Sequence, residues 1–573
     1  GSSRRRSTMH LAITALALQL QTAAFGAGGP RPSDPADSAR DVDRAHSAQA
    51  SFERARRTRL PFEAGSGGRC DVRIMRYCWW YDDATPTTLS PEPESITERR
   101  AALLHTLDSL AQRRPGDDWI AGMRVHYLLE AHREDAADRA ARECRGTPWW
   151  CDALLGYASH VRGEAALADS AFARAYREMP EDIRCRWSDI RTLLPGDTRG
   201  RYEDLTCDQR VAIERRYWLL ARPRLAAPAN EWQLEFSVRR VQAWLAQRAA
   251  SPQALRWGDD AEELLLRYGW PTAWGRVQTS SVPLSEPSII GHDPSPSFAF
   301  GPREPLLDTL ATSGDDGWDL ASPRGESRVA LRPVHRIGSM SAQLARFRRG
   351  ESTLVVASYV VRDDSVAKPV VQLAAALDDG TTIAAPPDSG RRGARMLSIG
   401  GAPRVADVEL LDTAGGTFSR SRRLYAPTAA GGRLALSDLL LFEGGADPAS
   451  TLDSALVRAF PNDSVDRSRP LGLFWETYGL TDGGETVDVA VSVERIDNGF
   501  FRAARQRLGL EDKDTPLRMR WTDARPPASG VTGRSVSLDL ANLPAGRYRV
   551  TLSVTPPEGG PVMTSREVEL VER

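Results

Sequence analysis

The chain changes from helical to extended character around the stretch WGDDAEELLLRYGWP, residues 257–271. Within it, Asp259 and Glu262 have the spacing of a capping box, in which each side chain bonds an otherwise unpaired backbone amide. Apolar side chains recur at the spacing of one helix face, at Ala261, Leu264, Leu265 and Tyr268. Gly269 suits the end of a helix, and Pro271 cannot continue one. The stretch predicts a capped helix that joins two halves, with its acids acting as caps and not as catalytic groups.

The predicted fold class is multidomain, α then β, with a helical N-terminal half followed by one or two antiparallel β-sandwich domains. A chain of 573 residues is too long for one hydrophobic core and should divide into about three or four domains. The expected boundaries are 1–27 for a signal peptide, 28–60 for a disordered leader with one possible helix around 45–57, 61–195 for a Cys-rich loop with a helical domain, 196–281 for a second helical region, 282–335 for a Pro-, Gly- and Ser-rich linker, 336–445 for a β-sandwich and 446–573 for an immunoglobulin-like β-sandwich.

The beginning of the sequence has the order of a secretory signal peptide. Three arginines, Arg4 to Arg6, precede an apolar run over residues 11–25, and small residues follow. The run is too short and too rich in glutamine for a membrane span. We therefore expect an extracytoplasmic protein, periplasmic or secreted, whose mature chain has no integral membrane span. The alternative is a frayed N-terminal helix.

All six cysteines lie in the first half of the chain, and they fall into three pairs close in sequence. An even number of cysteines in an exported protein favours disulfides, although many connectivities are open. None of the pairs has the C-x-x-C spacing of a redox or zinc site. Buried free thiols are the alternative. The disulfide candidates are Cys70 and Cys78, Cys144 and Cys151, and Cys185 and Cys207.

The charge balance excludes one class of partner. The formal net charge is −1, whereas proteins that bind nucleic acids carry an excess of positive charge. We therefore expect no nucleic-acid partner. The sequence leaves the oligomeric state open.

Three consecutive aromatic residues, Trp79, Trp80 and Tyr81, follow the first cysteine pair and are flanked by acids. Such a run is a candidate binding patch, because exposed aromatic rings stack on sugars and peptides. The alternative interpretation, which we favour, is an aromatic plug that seals one end of the helical domain.

A second pattern lies between Pro148 and Pro180, at Leu155-Gly156, Gly163, Ala168, Phe172 and Ala175. These residues and spacings resemble a tetratricopeptide repeat, in which small residues let two antiparallel helices pack closely. The pattern departs from that family at Asp152 and Ser159. Residues 117–145 resemble a degenerate second copy. The resemblance implies that the helical half binds another protein and carries no chemistry of its own.

The stretch 257–271 carries a further resemblance. Together with residues 216–223 and 231–241, it is similar to the GWxTD domain of secreted bacterial multidomain proteins, in which a W-x-T-D step leads through a short apolar segment to a Tyr-Gly-Pro-like turn. Trp257-Gly258-Asp259-Asp260 and residues 267–271 take the places of that step and that turn. Asp259 stands where that family has Thr, and Trp270 where it has Pro. The resemblance covers about 75 residues before Pro271. It implies an exported protein, and no functional residue is carried over from it.

Alternating apolar residues mark the second half as β-structure. Val487, Val489, Val491 and Val493 alternate with polar residues, as in a half-buried antiparallel strand. Residues 543–550, LPAGRYRV, resemble the last hairpin of bacterial immunoglobulin-like modules. A series of short strands with turns between them indicates a sandwich, and that fold alone says nothing of function.

The sequence contains no recognised catalytic or metal-binding motif. The eight histidines form no i, i+4 ligand pair, and there is no nucleophile elbow, phosphate-binding loop or dinucleotide fingerprint. Adjacent acids occur in local runs, which solvated side chains explain, at Asp82-Asp83, Asp259-Asp260, Glu262-Glu263, Asp363-Asp364 and Asp378-Asp379. We therefore assign no catalytic, cofactor-binding or metal-binding residue and expect no cofactor.

These observations favour an exported, non-enzymatic interaction or scaffold protein of the bacterial cell envelope. In this interpretation the helical half binds or braces another protein, and the β half is a spacer or a second adhesive module. Two alternatives stay open. One is a secreted hydrolase of polysaccharide or peptide with a site assembled from distant residues, and the other is a carbohydrate-binding module that uses Trp79, Trp80 and Tyr81.

Overall fold

The computed structural model of the protein describes residues 35–63, 70–80, 90–278, 287–293, 295–303, 314–315, 327–426, 434–479, 486–496, 516–523 and 531–572. The segment 1–27, for which a signal peptide is expected, lies outside these residues, as does Tyr81. The order of elements agrees with the predicted α-then-β class, because eleven of the twelve described helices precede the described β-sandwich strands from residue 336 onward.

The helical half contains eleven helices in the described part of the chain. They are α1 (Pro35–Arg59), α2 (Glu94–Arg113), α3 (Asp118–Glu130), α4 (Glu134–Arg142), α5 (Pro148–Val161), α6 (Ala165–Glu178), α7 (Glu181–Ser188), α8 (Gly196–Glu203), α9 (Cys207–Ala221), α10 (Glu231–Ala246) and α11 (Asp259–Tyr268). Consecutive helices from α1 to α6 pack on one another, and α10 contacts α3, α5, α6 and α11. Helix α10 therefore lies at the centre of this half.

Helix α1 occupies most of the segment 28–60, where the sequence predicts a disordered leader, and this is a correction. Its buried side chains recur at helical spacing, at Ala45, Gln49, Phe52, Glu53 and Arg56. Three of the five are polar. The face that packs on the protein therefore lacks the apolar stripe by which an amphipathic helix is recognised in a sequence.

A small sheet lies against the helices. It contains β1 (Val72–Ile74), β2 (Tyr77–Trp80), β3 (Ala273–Val277) and β4 (Ser288–His292), in the order β1-β2-β4-β3. Strands β2 and β4 are parallel, and the other neighbours are antiparallel. Strand β4 comes from the segment 282–335, which was expected to be a linker. The first part of that segment is therefore a structural strand of the helical half.

The first β-sandwich has two sheets. One contains β5 (Gly314–Asp315), β6 (Arg336–Ile337), β9 (Val370–Ala376), β10 (Thr382–Ala384), β12 (Val405–Asp412) and β13 (Thr417–Leu424). The other contains β7 (Met340–Arg349), β8 (Ser352–Val361) and β11 (Arg392–Gly400). Apolar side chains from both sheets form a common core, including Val355, Leu373 and Val408. Only the pairing of β6 with β13 is parallel in the described part of this sandwich.

The second β-sandwich follows the same plan. One sheet contains β14 (Ala435–Leu436), β15 (Leu440–Glu443), β17 (Leu471–Tyr478) and β20 (Val531–Leu538), and the other contains β16 (Ser464–Asp466), β18 (Val487–Arg495), β19 (Leu517–Asp523), β21 (Gly546–Thr555) and β22 (Val562–Val571). A short helix, α12 (Leu452–Leu456), lies between β15 and β16. The four alternating valines of β18 are all buried, as predicted. Strands β14 and β15 precede the expected boundary at 445/446, yet they pair with β17.

The six cysteines form disulfides as predicted, and the structure supplies the connectivity that the sequence left open. The disulfides are Cys70–Cys78, Cys144–Cys151 and Cys185–Cys207. The structure therefore has no free cysteine. No described helix combines the length and the apolar character that crossing a membrane requires.

The stretch 257–271 forms helix α11 and the turn after it, as predicted, but its N-terminus differs from the prediction. The N-cap is Gly258, and no side chain caps the helix. Glu262 instead pairs with Arg240 of α10 at 2.8 Å. Gly269 ends the helix with a φ of 88°. The expected capping box is therefore wrong, because its glutamate is used in packing α11 against α10.

Buried arginines attach the helical half to the first β-sandwich. Arg422 of β13 pairs with Asp407 of β12 at 2.6 Å and donates to the carbonyl oxygens of Leu220 and Arg222 at 2.7 and 2.9 Å. Arg420 also donates to the carbonyl of Arg222, at 2.9 Å. The last carbonyls of a helix have no partner within it. The end of α9 is thus satisfied by side chains of the sandwich.

The same junction contains a buried carboxyl group. Glu409 of β12 accepts hydrogen bonds from the backbone amides of Leu225 and Ala226. Burial and the neighbouring Asp407 raise the pKa of Glu409 to about 8, against the opposing charge of Arg422. Apolar contacts surround these polar groups, since residues 219, 220 and 225 pack against strands β9, β12 and β13.

The two sandwiches are attached to each other in a similar way. Gln343 of β7 is fully buried and donates to the carbonyls of Leu441 and Phe460 at 2.9 and 2.7 Å. Its carbonyl oxygen accepts from the amide of Leu441 at 2.6 Å. Arg566 of β22 donates to the carbonyl of Leu344 in β7 at 2.9 Å. Side chains of each sandwich therefore satisfy the backbone of the other.

Candidate functional site

The structure places the described part of the aromatic triplet in the interior. Trp79 and Trp80 are each 2% exposed. Trp79 stacks on Tyr268 of α11 with 6.2 Å between ring centroids, and Trp80 stacks on His292 of β4 at 4.4 Å. Neither ring has a free face for a ligand, which corrects the binding-patch hypothesis for these two residues. The plug interpretation fits their packing, and Tyr81 lies outside the described residues.

A cleft opens instead beside the stretch 257–271, between α1, α3, α10 and the segment that follows α10. It contains two adjoining cavities, which we call the Trp257 cleft because both are lined by Trp257 and Gln253. The first cavity is also lined by Gln49, Met123, His126, Tyr127, Gln242, Leu245, Ala246, Ala249, Ala250, Ser251, Pro252 and Trp270. The second is also lined by Tyr77, Leu255, Ala261, Leu264, Leu265, Gly269 and Pro271.

The cleft is narrow inside and wide at its mouth. The enclosed volumes are about 20 and 10 Å³, each room for about one water molecule or a group of similar size. Together with space that is open to solvent, about 350 Å³ lies against the lining of the first cavity.

The lining contains no charged side chain. Its one histidine, His126, is 6% exposed. Burial lowers the pKa of His126 to about 4, a shift that Glu130 opposes and that Arg56 and Arg100 reinforce. His126 is therefore neutral at physiological pH. Its ring contacts Trp270 edge to face at 4.9 Å, and its Nδ1 lies 3.3 Å from the hydroxyl of Tyr157.

Four polar atoms of the lining residues have no hydrogen-bond partner in the part of the chain that the structure describes. They are the carbonyl oxygen of Gln242, the indole N–H groups of Trp257 and Trp270, and the hydroxyl of Tyr77. Gln242 is 8% exposed and Tyr77 is 1% exposed. Buried polar groups are normally hydrogen-bonded, because an unsatisfied one costs about 1–3 kcal/mol. Four of the unsatisfied buried atoms thus belong to residues that line the cleft.

A buried ion-pair network lies behind one wall of the cleft. Tyr127 donates to Glu53 at 2.6 Å, and Arg56 donates to both carboxylate oxygens of Glu130 at 2.7 and 2.6 Å. Arg100 of α2 also bonds Glu130, at 3.2 Å. Burial raises the pKa of Glu53 despite Arg56. Burial acts in the same direction on Glu130, but Arg56 and Arg100 outweigh it and lower its pKa.

The wall formed by α1 also holds the segment after α10. The side-chain amide of Gln49 donates to the carbonyl of Ala250 and accepts from its amide, both at 2.9 Å. The same amide nitrogen donates to Tyr127 at 2.9 Å. One glutamine of α1 thus fixes the backbone at the rim and connects it with the ion-pair network.

The adjacent acids are accounted for by exposure or ion pairs where they are described. Asp259 and Asp260 are exposed, and Glu263 pairs with Arg199 and Arg267 at 3.3 Å each. The described residues contain no group of three or more His, Cys, Asp and Glu side chains placed to bind a metal ion. Asp82 and Asp83 lie outside the described residues.

Sequence reasoning missed the cleft because its residues come from distant segments. Gln49, His126, Gln242 and Trp257 belong to four different elements or loops, and only Trp257 lies in a stretch that the sequence singled out. One signal was present, since Trp257 and Trp270 bracket a short helix in the stretch 257–271. The sequence predicts these aromatics as packing residues, and the structure places both at the cleft.

Comparisons with known proteins give no assignment. No family model matches the chain, and no curated protein matches it. Among solved structures, the chain is similar to red sea bream transglutaminase, with 11% identity over 41% of this chain and 32% of that chain, and a TM-score of 0.15. It is similar to Salmonella alpha-2-macroglobulin reacted with methylamine, with 13% identity over 50% of this chain and 21% of that chain, and a TM-score of 0.15.

The chain therefore spans about a third and about a fifth of the length of these two proteins. At such TM-scores neither likeness supports a fold or a function for this chain.

Proposed function

We propose that the chain is an exported, non-enzymatic interaction or scaffold protein of the bacterial cell envelope, and that it binds another protein through its helical half. The observation that carries this proposal is the pair of junctions made by buried polar side chains. Arg420, Arg422 and Glu409 bond the backbone at the end of α9, and Gln343 and Arg566 bond the backbone between the two sandwiches.

Such junctions keep three modules in a fixed arrangement. Inter-domain contacts normally permit relative motion unless the interface is large and apolar. Here, moving a module would leave buried guanidinium and amide groups without partners, which is costly. A fixed arrangement is what a protein needs in order to hold a partner at a defined place. The β half is then a rigid extension of the helical half.

The location outside the cytoplasm is supported by the three disulfides, since such bonds form and persist mainly in oxidising compartments. The resemblances to the GWxTD domain and to tetratricopeptide repeats support the same proposal. At the pair α5–α6, the Phe172 ring occupies the space that a side chain at Gly156 would need. This close approach is the packing that repeats of the second family use.

The proposal is tested by capturing partners from an envelope extract with the complete oxidised chain and two matched variants. Arg422→Met breaks the junction at α9, while Arg547→Met removes an arginine that is 64% exposed and pairs with Glu567. We expect the same envelope proteins to be recovered reproducibly with the wild type and Arg547→Met, and in smaller amount with Arg422→Met.

Two results would contradict the proposal. One is the absence of any reproducible partner together with turnover of a model glycan or peptide by the purified chain. The other is equal recovery with Arg422→Met, which would show that a fixed arrangement of the modules is not needed for binding.

A further inference from the structure

We propose that helix α1 is attached to the rest of the helical half by a pH-sensitive contact, in which a proton on Glu53 keeps the helix in place and loss of that proton favours its release. The inference is independent of the protein partner proposed above. It rests on an excess of carboxyl groups in a largely buried cluster, on the unpaired oxygen of one of them, and on the few apolar side chains that α1 buries.

Three glutamates and two arginines form this cluster. Arg56 of α1 donates to both carboxylate oxygens of Glu130 on α3, at 2.7 and 2.6 Å. Arg100 of α2 bonds Glu130 at 3.2 Å and also donates to both oxygens of Glu92. Glu53 is left with the longer contact to Arg56, at 3.3 Å. With all three glutamates ionised, the cluster would carry one negative charge in excess.

Glu53 is the group at which this excess charge is most unfavourable. Its side chain is 1% exposed. One oxygen accepts from the hydroxyl of Tyr127 at 2.6 Å, whereas the other has no hydrogen-bond partner among the residues that the structure describes. A buried carboxylate without sufficient partners takes up a proton instead. Burial accordingly raises the pKa of Glu53 to about 7, against the attraction of Arg56 and the hydrogen bond from Tyr127.

The remaining ionisable groups around Glu53 act in both directions. Arg57, the next arginine of α1, is partly exposed and lowers the pKa of Glu53. Glu130 on α3 repels a second carboxylate and raises it. His126 on the same helix is neutral, because burial lowers its own pKa to about 4. Arg56 and Arg57 thus favour the ionised form of Glu53, and burial and Glu130 favour the protonated form.

Helix α1 depends on this contact because few apolar side chains attach it. Its described buried side chains are apolar at two positions and polar at three, namely Ala45 and Phe52, and Gln49, Glu53 and Arg56. A segment with few buried apolar contacts belongs to the least stable part of a fold. Release of α1 transfers the carboxylate of Glu53 to water. It also breaks the bonds between Gln49 and Ala250 at the rim of the Trp257 cleft.

The direction of the pH dependence follows from the two states of the helix. In the attached state the pKa of Glu53 is raised from 4.5 to about 7, so the attached state binds a proton at pH values where the released state does not. The attachment is therefore strongest below pH 4.5 and weakens as the pH rises to 7. An acidic medium fixes α1, and a neutral or alkaline medium favours its release.

The test compares hydrogen exchange of α1 in the complete oxidised protein and in Glu53→Gln. Peptides that cover α1, analysed by mass spectrometry and corrected for the intrinsic exchange rate, give the opening constant of the helix. Glutamine imitates the protonated carboxyl group at every pH. The ratio of the two opening constants cancels the titration of His126, which both proteins share. We expect this ratio, wild type over variant, to rise by about tenfold or more between about pH 5 and pH 7.5.

Two control variants separate the titration of Glu53 from a general weakening of α1. Glu98→Gln makes the same chemical change at an exposed position of α2, and it should keep the wild-type pH dependence. Gln49→Met removes hydrogen bonds of α1 without removing an ionisable group, and it should increase opening by a similar factor at every pH. Exchange in α5 should not respond to Glu53→Gln, since α1 opens without the rest of the helical half.

Three results would overturn the proposal. The first is a ratio that stays constant or falls as the pH rises. The second is an equal response of α5, which would mean that α1 does not open by itself. The third applies if Glu53→Gln does not fold, in which case Tyr127→Phe decides. Loss of the hydrogen bond from Tyr127 should move the midpoint of the opening curve to higher pH, and an unchanged midpoint would exclude Glu53 as the titrating group.

Discussion

His126 separates the uncharged cleft from the buried ion pairs around Glu130. Its ring lies against Trp270 on one side and faces Arg56 and Arg100 on the other. Because burial and these two arginines outweigh Glu130, the imidazole remains neutral where a free histidine would be half protonated. The residue can therefore form part of an uncharged wall although Glu130, Arg56 and Arg100 all act on it electrostatically.

This position makes stability depend on pH. The folded-state pKa of His126 is lowered from 6.5 to about 4, so the unfolded chain binds a proton at pH values where the folded chain does not. The resulting stabilisation is complete above pH 6.5 and is lost as pH falls from 6.5 to 4. Its full size is about 3 kcal/mol, at 1.36 kcal/mol for each pH unit.

We expect His126→Gln to remove about 2 kcal/mol of the difference in unfolding free energy between pH 7 and pH 5. Urea unfolding followed by far-ultraviolet circular dichroism measures this difference for the helical half. His105→Gln, at an exposed position on α2, is the control and should keep the wild-type difference. An unchanged pH dependence in His126→Gln would mean that the imidazole is not held neutral.

At the scale of single elements, two helical glycines differ in the space available for an added methyl group. A methyl group added at Gly156 in α5 would lie 2.8 Å from the ring of Phe172 in α6, whereas one added at Gly200 in α8 would have no neighbour within 4 Å. Alanine is favoured over glycine in a helix by up to about 1 kcal/mol. Overpacking costs about 1–3 kcal/mol.

We therefore expect Gly156→Ala to lower the unfolding free energy by about 1–2 kcal/mol and Gly200→Ala to raise it by up to about 1 kcal/mol. Each is the control of the other, since the chemical change is the same. Thermal or urea unfolding of the two variants measures the difference. Stabilisation by Gly156→Ala would contradict the close packing of α5 and α6.

Helix α1 gives a second prediction at this scale, through the bond between Gln49 and Ala250. Gln49→Met removes both hydrogen bonds to the backbone of Ala250, each worth about 1 kcal/mol. Hydrogen exchange at the Ala250 amide should therefore become about thirtyfold faster. Ser170→Ala, whose hydroxyl bonds only within α6, should leave this amide unchanged. Equal exchange in both variants would show that α1 does not hold the rim.

Elements that show a local sequence pattern could be predicted, whereas those stabilised by residues distant in the sequence could not. The alternation Val487, Val489, Val491 and Val493 predicted β18, since one face of a strand must be apolar. The even number of cysteines in a chain expected to be exported predicted disulfides, whereas their connectivity came from the structure. Helix α1 was predicted only as a possible helix in a loosely ordered leader, because its buried face contains Gln49, Glu53 and Arg56, whose partners lie on α3 and after α10. The cleft was missed for the same reason, because its residues are brought together only by tertiary packing.

At the scale of the whole molecule, the junction between α9 and the first sandwich should be the most sensitive point. Arg422 and Asp407 are both fully buried. Removing one partner of a buried ion pair costs about 3–5 kcal/mol, because the other charge is left unpaired. Arg422→Met should therefore lower stability by about this amount, and the double variant with Asp407→Asn should recover part of it.

Unfolding in urea, followed by both circular dichroism and tryptophan fluorescence, measures this effect. Arg547→Met should change stability by less than about 1 kcal/mol, since its pair is exposed. We further expect the two signals to report separate transitions in Arg422→Met and overlapping ones in the wild type. A cost below about 1 kcal/mol for Arg422→Met would show that the pair does not fasten the two halves.

The parallel pairing of β2 with β4 has a consequence for how the protein is made. Trp80 and His292 are neighbours in the sheet although 212 positions separate them in the chain. During synthesis the ribosome completes the helices of the first half before it adds β4. Until then, the edge of β2 that pairs with β4 remains unpaired. A product that ends before residue 287 would keep this edge exposed. Proteases and chaperones would recognise this product as an incompletely folded chain. The first half is therefore not expected to persist in the cell without residues 288–292.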